Sequence, residues 1–183
     1  MRRKIATSTA ALTAVQVFPF YGGRPASAPV TSPSANPVPF AGVFDEAGDL
    51  LLTEAGPSTV TAYHLAPDGT LSVIGSSASD GKTAPCWIVG VDGHYYGTNA
   101  GSANISRFEA GSSGVPMAQT AAASDAGPID MAAGGDYLYV QNAGADTVTG
   151  YAVDPADGAL RQVTSVTGLP AYDNGGMEGI AVN

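Results

Sequence analysis

The sequence from Gln141 to Tyr151 reads QNAGADTVTGY, and two earlier stretches of the chain repeat its pattern. The earlier copies are TEAGPSTVTAY at Thr53–Tyr63 and TNAGSANISRF at Thr98–Phe108. All three align without a gap, and each carries a polar residue followed by Ala-Gly near its start. A repeat of about 45 residues indicates one supersecondary unit copied along the chain.

Each copy lies inside a longer unit of four short runs that are rich in β-branched and aromatic residues. Turns containing Gly, Asp, Asn or Pro separate the runs, which is the pattern of antiparallel strands. No segment keeps a helical period of 3.6. Every unit begins with a proline-led apolar run, and these runs are PFAGVF from Pro39, PCWIVGV from Pro85 and PIDMAAG from Pro128.

Four strands in about 45 residues is the size of one blade of a β-propeller. The sequence therefore predicts an all-β propeller fold with three four-stranded antiparallel blades and a lone final inner strand, MEGIAVN. The predicted blades span residues 39–84, 85–127 and 128–176, and the final strand spans residues 177–183.

The first 38 residues differ in composition from the repeats. Residues 1–28 combine a basic start, a weakly apolar stretch and the small-residue triplet ASA, a pattern typical of a secretory signal. The alternative is a disordered leader. Residues 29–38 are Pro/Ser-rich and predict a linker. This pattern favours a secreted or periplasmic protein over a cytoplasmic one, and no stretch reaches the roughly 20 apolar residues of a membrane span.

The charge of the chain argues against one class of partner. From Pro29 onward the basic residues are only Lys82, Arg107 and Arg161, against all 16 acidic residues of the chain. Such a surface repels phosphate backbones, so nucleic acid is excluded as a partner. Cys86 is the one cysteine, so no disulfide can form within the chain.

The stretch LYVQNAGADTVTGYAVDPADGAL resembles the YVTN-type repeat of lactonase-family β-propellers, and TAPCWIV and AGPIDMA are similar to inner-strand starts of that family. The resemblance covers residues 37–183. It implies a blade architecture and lactone chemistry in a family whose functions are mixed.

Family members usually have seven blades, and closed propellers in general need about four to eight. Three blades and one strand cannot close a ring, which leaves three alternatives. The chain is the C-terminal part of a larger propeller, with three of its blades, or a homodimer completes the ring with MEGIAVN joining a partner chain, or an open arc is covered by the leader.

The turn after the second strand and the entry to the inner strand share one rim of a blade. This arrangement predicts candidate catalytic residues Glu54, Asp130 and Glu178, and candidate binding residues Asn99, Asn142, Trp87 and Cys86 for a small-molecule ligand. A turn alone explains Asn99 and Asn142, because Asn favours such turns. It does not explain Glu54, which occupies the same slot.

Carboxylate and amide oxygens suit Ca²⁺ or Mg²⁺, and other propeller lactonases hold a channel metal with such residues. The spacing here matches no metal motif, so a cation site at this rim is an expectation from composition. The alternative is that these residues only build turns.

Two functions remain open. The resemblance implies a hydrolase acting on a small sugar-acid or dicarboxylic lactone. The chemistry favours a non-catalytic binding or scaffold propeller, or a degenerate fragment, because neither His64, His94, Arg107 nor Arg161 is predicted to face the rim beside a base.

Overall fold

The computed structural model describes residues 4–7, 13–111, 114–170 and 178–182. All regular secondary structure in these ranges is β-strand, which confirms the predicted all-β class. The twelve strands of the three repeats form blade 1 (β6 Pro39–Phe44, β7 Leu50–Glu54, β8 Thr59–Leu65, β9 Leu71–Ala78), blade 2 (β10 Pro85–Val91, β11 His94–Asn99, β12 Asn104–Gly111, β13 Gly114–Ala123) and blade 3 (β14 Pro128–Gly134, β15 Tyr137–Asn142, β16 Thr147–Val153, β17 Leu160–Val166). Within each blade successive strands pair antiparallel. The predicted propeller blades are therefore confirmed.

One backbone pairing joins blades 1 and 2 at their outer edges. The outermost strands β9 and β13 pair in parallel at Ser76 and Gly114, so blades 1 and 2 form one eight-stranded sheet. Blade 3 remains a separate four-stranded sheet.

The blades pack face to face through alternating side chains. In β7, Leu51 points into the cluster shared with blade 2, whereas Leu50 and Leu52 point to the opposite face. In β11, Tyr95 packs towards blade 1 and Tyr96 towards blade 3. Because strand side chains alternate, the middle strands of blades 1 and 2 carry apolar side chains on both faces, and burial of these faces stabilises the stack.

A further sheet precedes the three blades. Its strands are β1 Lys4–Thr7, β2 Ala14–Phe18 and β5 Val30–Pro33, in the order β1-β2-β5, with a small hairpin of β3 Phe20–Tyr21 and β4 Arg24–Pro25. We call β1, β2 and β5 the N-terminal sheet. Val15 and Val17 are 0% and 1% exposed and join a cluster with Leu50, Leu52 and Tyr63 of blade 1. The range assigned from sequence to a leader and a linker thus contains strands that cover one face of blade 1.

The N-terminal sheet repeats the outer three strands of a blade. The backbone amide of Ser34 donates to the carbonyl of Thr13 at 2.8 Å. The same bond closes blades 2 and 3, from Ser124 to Ala103 and from Leu169 to Asp146. β2 therefore corresponds to the third strand of a blade and β5 to the fourth, and β1 corresponds to the second.

Residues 178–182 lie beside the innermost strand of blade 3, β14. Of the predicted strand at 177–183, residues 178–182 are described, and they pair with no described strand. The amides of Gly179 and Ile180 donate to Asp130 Oδ2 at 2.7 and 3.1 Å, and Val182 lies against Gly134. This segment therefore occupies the place where the inner strand of a next blade would begin.

A close backbone contact fixes the turn before blade 3. Gly127 has φ +66°, and a Cβ there would lie 2.7 Å from the backbone nitrogen of Gly144. We expect Gly127→Ala to lower the free energy of unfolding by about 2 kcal/mol, because backbone strain and steric clash add. Gly168→Ala is the matched control, since Gly168 has φ +76° but open space around it. Urea denaturation measures both, and equal losses would contradict the steric argument.

Candidate functional site

The polar slot is the last residue of each second strand, and it lies between neighbouring blades. Glu54, Asn99 and Asn142 pair with the prolines that begin the inner strands, as the shared rim requires. Their side chains are buried, and Glu54 is 0% exposed. The following Ala and Gly amides donate to the carbonyls just before those prolines in all three blades. The turn is thus held by its backbone, which leaves the slot side chain for contacts across the junction.

The Glu54 carboxylate accepts hydrogen bonds at both oxygens. Oε1 accepts from the Tyr63 hydroxyl at 2.6 Å and from the backbone nitrogen of Asn36 at 3.1 Å. Oε2 accepts from Thr61 Oγ1 at 2.6 Å, from Asn36 Nδ2 at 2.7 Å and from Thr59 Oγ1 at 3.3 Å. Burial, with the Glu54 charge adding to it, raises the pKa of Tyr63, so the phenol keeps its proton and remains a donor.

Asn99 and Asn142 occupy the same slot with the opposite hydrogen-bonding role. Asn99 Nδ2 donates to Asn104 Oδ1 at 2.8 Å and to Ser106 Oγ at 2.6 Å. Asn142 Nδ2 donates to Thr147 Oγ1 and Thr149 Oγ1 at 3.1 and 3.0 Å. The slot therefore reaches the fifth and seventh residues after it in every blade, whether it holds an acid or an amide.

A carboxylate completes the junction from the other side in blades 2 and 3. Ser106 donates to Asp80, and Thr147 donates to Asp125 at 2.7 Å. Asp80 and Asp125 both follow the outermost strand of the preceding blade. The corresponding residue before blade 1 is Asn36, which follows β5.

The acid and the amide are thus exchanged in blade 1. Glu54 supplies the carboxylate from the slot and Asn36 supplies the amide from the preceding sheet, whereas Asp80 and Asp125 supply carboxylates to slots that hold Asn. The third-strand hydroxyl donates to the carboxylate in either arrangement. Each junction consequently carries one carboxylate, which accounts for a Glu in a slot that a turn alone would not favour.

Asn36, Asp80 and Asp125 were not among the residues predicted from sequence. Each lies three to five residues before the proline that begins an inner strand. The residue is an amide where the following slot holds an acid, and an acid where the slot holds an amide. This pairing is the sequence signal that could have identified the three residues.

Asp130 is also occupied by backbone donors. It is 2% exposed, and Oδ1 accepts from the Met131 amide at 2.7 Å. Oδ2 receives the amides of Gly179 and Ile180 described above. The Asp130 carboxylate therefore holds the end of the chain against blade 3.

Glu178 and Cys86 lie near each other at the rim. Glu178 is exposed, Cys86 and Trp87 are half-buried, and Cys86 Sγ lies 3.4 Å from the carbonyl of Ala84. Burial raises the pKa of the Cys86 thiol, and the Glu178 carboxylate raises it further. A thiol held in its protonated form is a weak nucleophile.

We expect the thiol of Cys86 to alkylate slowly at pH 7.5, because its raised pKa leaves little thiolate. Glu178→Gln should speed iodoacetamide modification by a few-fold and move the inflection of the rate to lower pH, since one of the two causes is removed. Mass spectrometry of the modified protein follows the rate between pH 7 and 10. Glu109→Gln, at another exposed acid, is the control, and identical profiles for all three proteins would contradict the effect of Glu178 on the pKa of the thiol.

An apolar groove of about 300 Å³ runs along the inner strand of blade 1. We call it the β6 groove; it is lined by Phe40, Ala41, Gly42, Phe44, Leu50, Leu52, Trp87 and Ile88. Phe40 and Trp87 meet edge to face with ring centroids 6.4 Å apart. Trp87 thus contributes to an apolar wall beside the rim.

The remaining candidates do not converge with these acids. His64 lies 3.0 Å from Asp49, and Arg107 pairs with Glu109 and with the carbonyl of Asp157. No group of three or more His, Cys, Asp or Glu side chains able to hold a metal occurs among the described residues. Glu54, Asn99 and Asn142, whose oxygens suggested a Ca²⁺ or Mg²⁺ site, each bond within a different junction.

Comparison with known proteins shows where this architecture recurs. No family model matches the chain, and no curated protein matches its sequence. A putative 6-phosphogluconolactonase from Bacteroides uniformis superposes with a TM-score of 0.71 at 18% identity, over 89% of this chain and 52% of that one. A functionally unknown protein from Desulfotomaculum acetoxidans gives 0.70 at 19% identity, over 87% and 50%. A periplasmic gluconolactonase from Pseudomonas aeruginosa gives 0.65 at 16% identity, over 86% and 50%.

The chain has the fold of lactonase-like β-propellers, and it spans about half the length of these neighbours. In the described ranges, no helix is long and apolar enough to cross a membrane.

Proposed function

We propose that this chain is a non-catalytic propeller scaffold whose polar rim residues hold neighbouring blades together. The observation that carries the proposal is the hydrogen bonding of Glu54, whose two oxygens accept from five donors while the side chain is 0% exposed. A general base must reach its substrate, and a carboxylate saturated by buried donors has no free lone pair for that role.

Asp130 supports the same conclusion. Three backbone amides already occupy its oxygens, and its neighbours at the rim are the end of the chain and blade 3. Within the described residues, the two histidines and Arg107 have partners or surroundings away from these acids. The arrangement therefore lacks a cation or donor pair that would stabilise a developing oxyanion.

A lactone hydrolysis assay tests the proposal. Glucono-1,5-lactone is the probe, followed by acid release at constant pH with and without the protein. We expect the rate to equal spontaneous hydrolysis, and Glu54→Gln to leave it unchanged. A protein-dependent rate that falls at least tenfold in Glu54→Gln, with the folded fraction matched by circular dichroism, would overturn the scaffold proposal.

Lactone hydrolysis stays as the second candidate because of one carboxylate. Glu178 is exposed at the rim and lies close enough to Cys86 to affect the thiol. In this alternative Glu178 would act as general base towards water on a small sugar-acid or dicarboxylic lactone. Loss of a protein-dependent rate in Glu178→Gln, but not in Glu109→Gln, would favour it.

We also propose a cellular location for the protein, outside the cytoplasm. The sequence pattern favours export, and a structural neighbour is named as periplasmic. Cleavage after Ala28 would remove β2, whose Val15 and Val17 cover blade 1. We therefore propose that residues 14–28 stay attached to the folded protein in whichever compartment it occupies. Intact-mass measurement of protein from cell fractions tests this, and a mature chain beginning at Pro29 would contradict it.

A further inference from the structure

A threonine closes the start of the inner strand in blades 1 and 2. Thr53 lies one residue before the slot, and its hydroxyl accepts a hydrogen bond from the backbone amide of Ala41 at 2.9 Å. Thr98 accepts from the amide of Trp87 at 3.0 Å in the same way. Ala41 and Trp87 are each the third residue of an inner strand. The threonine thus joins the first two strands of the blade at the rim.

Blade 3 carries an amide and a carboxylate at these two positions. Gln141 replaces the threonine, and Asp130 is the third residue of the inner strand. The two residues are Cα partners across β14 and β15, so their side chains lie on the same face of the blade. Their neighbours in sequence, Met131 and Val140, pack towards blade 2. Asp130 and Gln141 therefore point away from blade 2, towards residues 178–182.

The amide oxygen of Gln141 is a buried acceptor without a donor. The side chain is 7% exposed, and Oε1 has no hydrogen-bond partner in the described part of the chain. A buried polar atom without a partner is destabilising, so its presence indicates that a further group binds there. That group must bring a donor or a positive charge to the oxygen.

The Asp130 carboxylate places a negative charge beside that oxygen. It is 2% exposed, and the three amides that donate to it leave one lone pair of Oδ1 free. Among the described side chains, no Lys, Arg or His forms an ion pair with it. Glu178 is exposed and precedes Gly179, whose amide donates to Asp130 at 2.7 Å, so a second carboxylate lies close to the pair. Buried carboxylates are paired with a positive charge or bind a metal, which favours a cation over a neutral ligand.

We propose that Asp130, Gln141 and Glu178 bind one Ca²⁺ ion at the rim of blade 3. Asp130 Oδ1, Gln141 Oε1 and the Glu178 carboxylate are the protein ligands, and water completes the six to eight oxygens that Ca²⁺ takes. Ca²⁺ suits this set better than Mg²⁺, because Ca²⁺ tolerates irregular geometry and Mg²⁺ demands a near-ideal octahedron. Two carboxylates give a weak site, with a Kd of about 0.1–1 mM. The ion holds residues 178–182 on blade 3, and the site is separate from the junction contacts that carry the scaffold proposal.

Calcium titration of the full chain is the first measurement. Isothermal titration with CaCl₂ should give one site per chain, and 10 mM Ca²⁺ should raise the melting temperature by about 3–6 °C. NaCl at the same ionic strength is the control for screening and should shift the melting temperature by less than about 1 °C. No binding heat with Ca²⁺, or an equal shift with NaCl, would overturn the proposal.

Gln141→Thr locates the site, because it introduces the residue that blades 1 and 2 carry. The new hydroxyl should accept from the Asp130 backbone amide as the threonines of those blades do, so this variant should melt no lower than the calcium-free parent. We expect its Kd for Ca²⁺ to rise at least tenfold, and Glu178→Gln, at an exposed side chain, to have the same effect. Glu109→Gln is the control and should bind Ca²⁺ as the parent does. Unchanged affinity in either site variant would show that its side chain is not a ligand, which would overturn the proposed site.

Discussion

We expect Glu54→Gln to lower the free energy of unfolding by about 3 kcal/mol, although it removes no volume. The amide keeps one acceptor oxygen but places an NH₂ group against donors from Thr61, Asn36 or Tyr63. Buried donors that lose their acceptor cost roughly 1–3 kcal/mol each, and bonds to charged groups are at the upper end. Urea denaturation at pH 7 measures the loss.

The exchange seen between blades supplies the control for this result. Adding Asn36→Asp to Glu54→Gln should restore at least half of the lost stability, because the double variant carries its acid and amide in the same positions as blades 2 and 3. Thr61 would then donate to the relocated carboxylate as Ser106 does to Asp80. A double variant as unstable as the sum of its single changes would mean that the two residues are not coupled.

Asn36→Asp alone makes a distinct prediction for pH. Two carboxylates would then face each other at the distance of the present 2.7 Å hydrogen bond, and this repulsion raises the pKa of one of them in the folded state. An acid with a raised folded pKa costs stability as pH rises through the unfolded value of about 4. We expect the deficit of this variant to be smaller at pH 4 than at pH 7. Denaturation curves at the two pH values check the sign.

We expect Val17→Asp to abolish cooperative folding or to lower the free energy of unfolding by several kcal/mol. The side chain is 1% exposed in the cluster with Leu50, Leu52 and Tyr63, so an unpaired charge would be buried there. Tyr21→Asp changes a residue in the same part of the chain that is 63% exposed, and it should cost less than about 0.5 kcal/mol.

Truncation gives an independent measure of the same contact. Removal of residues 1–28 should expose the face of blade 1 that the N-terminal sheet covers, and the protein should bind more of a hydrophobic dye. Full stability of the truncated protein and of Val17→Asp would mean that the N-terminal sheet does not pack on blade 1.

The blades could be predicted from sequence because their evidence is local. Strand alternation, turn glycines and the threefold pattern around Val60, Ile105 and Val148 lie within single units of the repeat. The N-terminal sheet escaped prediction because β2 has the third-strand pattern, TAVQVF, without the turn of Glu or Asn followed by Ala-Gly that precedes the third strand in the three blades. Proline and serine around β5 strengthened the reading of a linker.

The role of the slot could not be predicted from the turn alone. Turn propensity singles out Glu54 as unusual, but its hydrogen-bond partner Asn36 lies 18 positions earlier, after the last strand of the N-terminal sheet. Side-chain partners across a junction depend on how blades stack, which no local pattern encodes. The effect of the Glu178 carboxylate on the pKa of the Cys86 thiol is a second interaction that no local pattern encodes.

The exchanged acid and amide also restrict how such a chain can be rearranged. A blade with Asn in its slot can follow only a unit that ends in a carboxylate, whereas the blade with Glu54 can follow only a unit that ends in an amide. Moving blade 2 to the front would place two amides at one boundary, and moving blade 1 to the second position would place two carboxylates there. One acid–amide pair at each boundary therefore restricts the order in which the blades can be joined. An engineered propeller assembled from these units needs one acid and one amide at every boundary, in addition to complementary apolar cores.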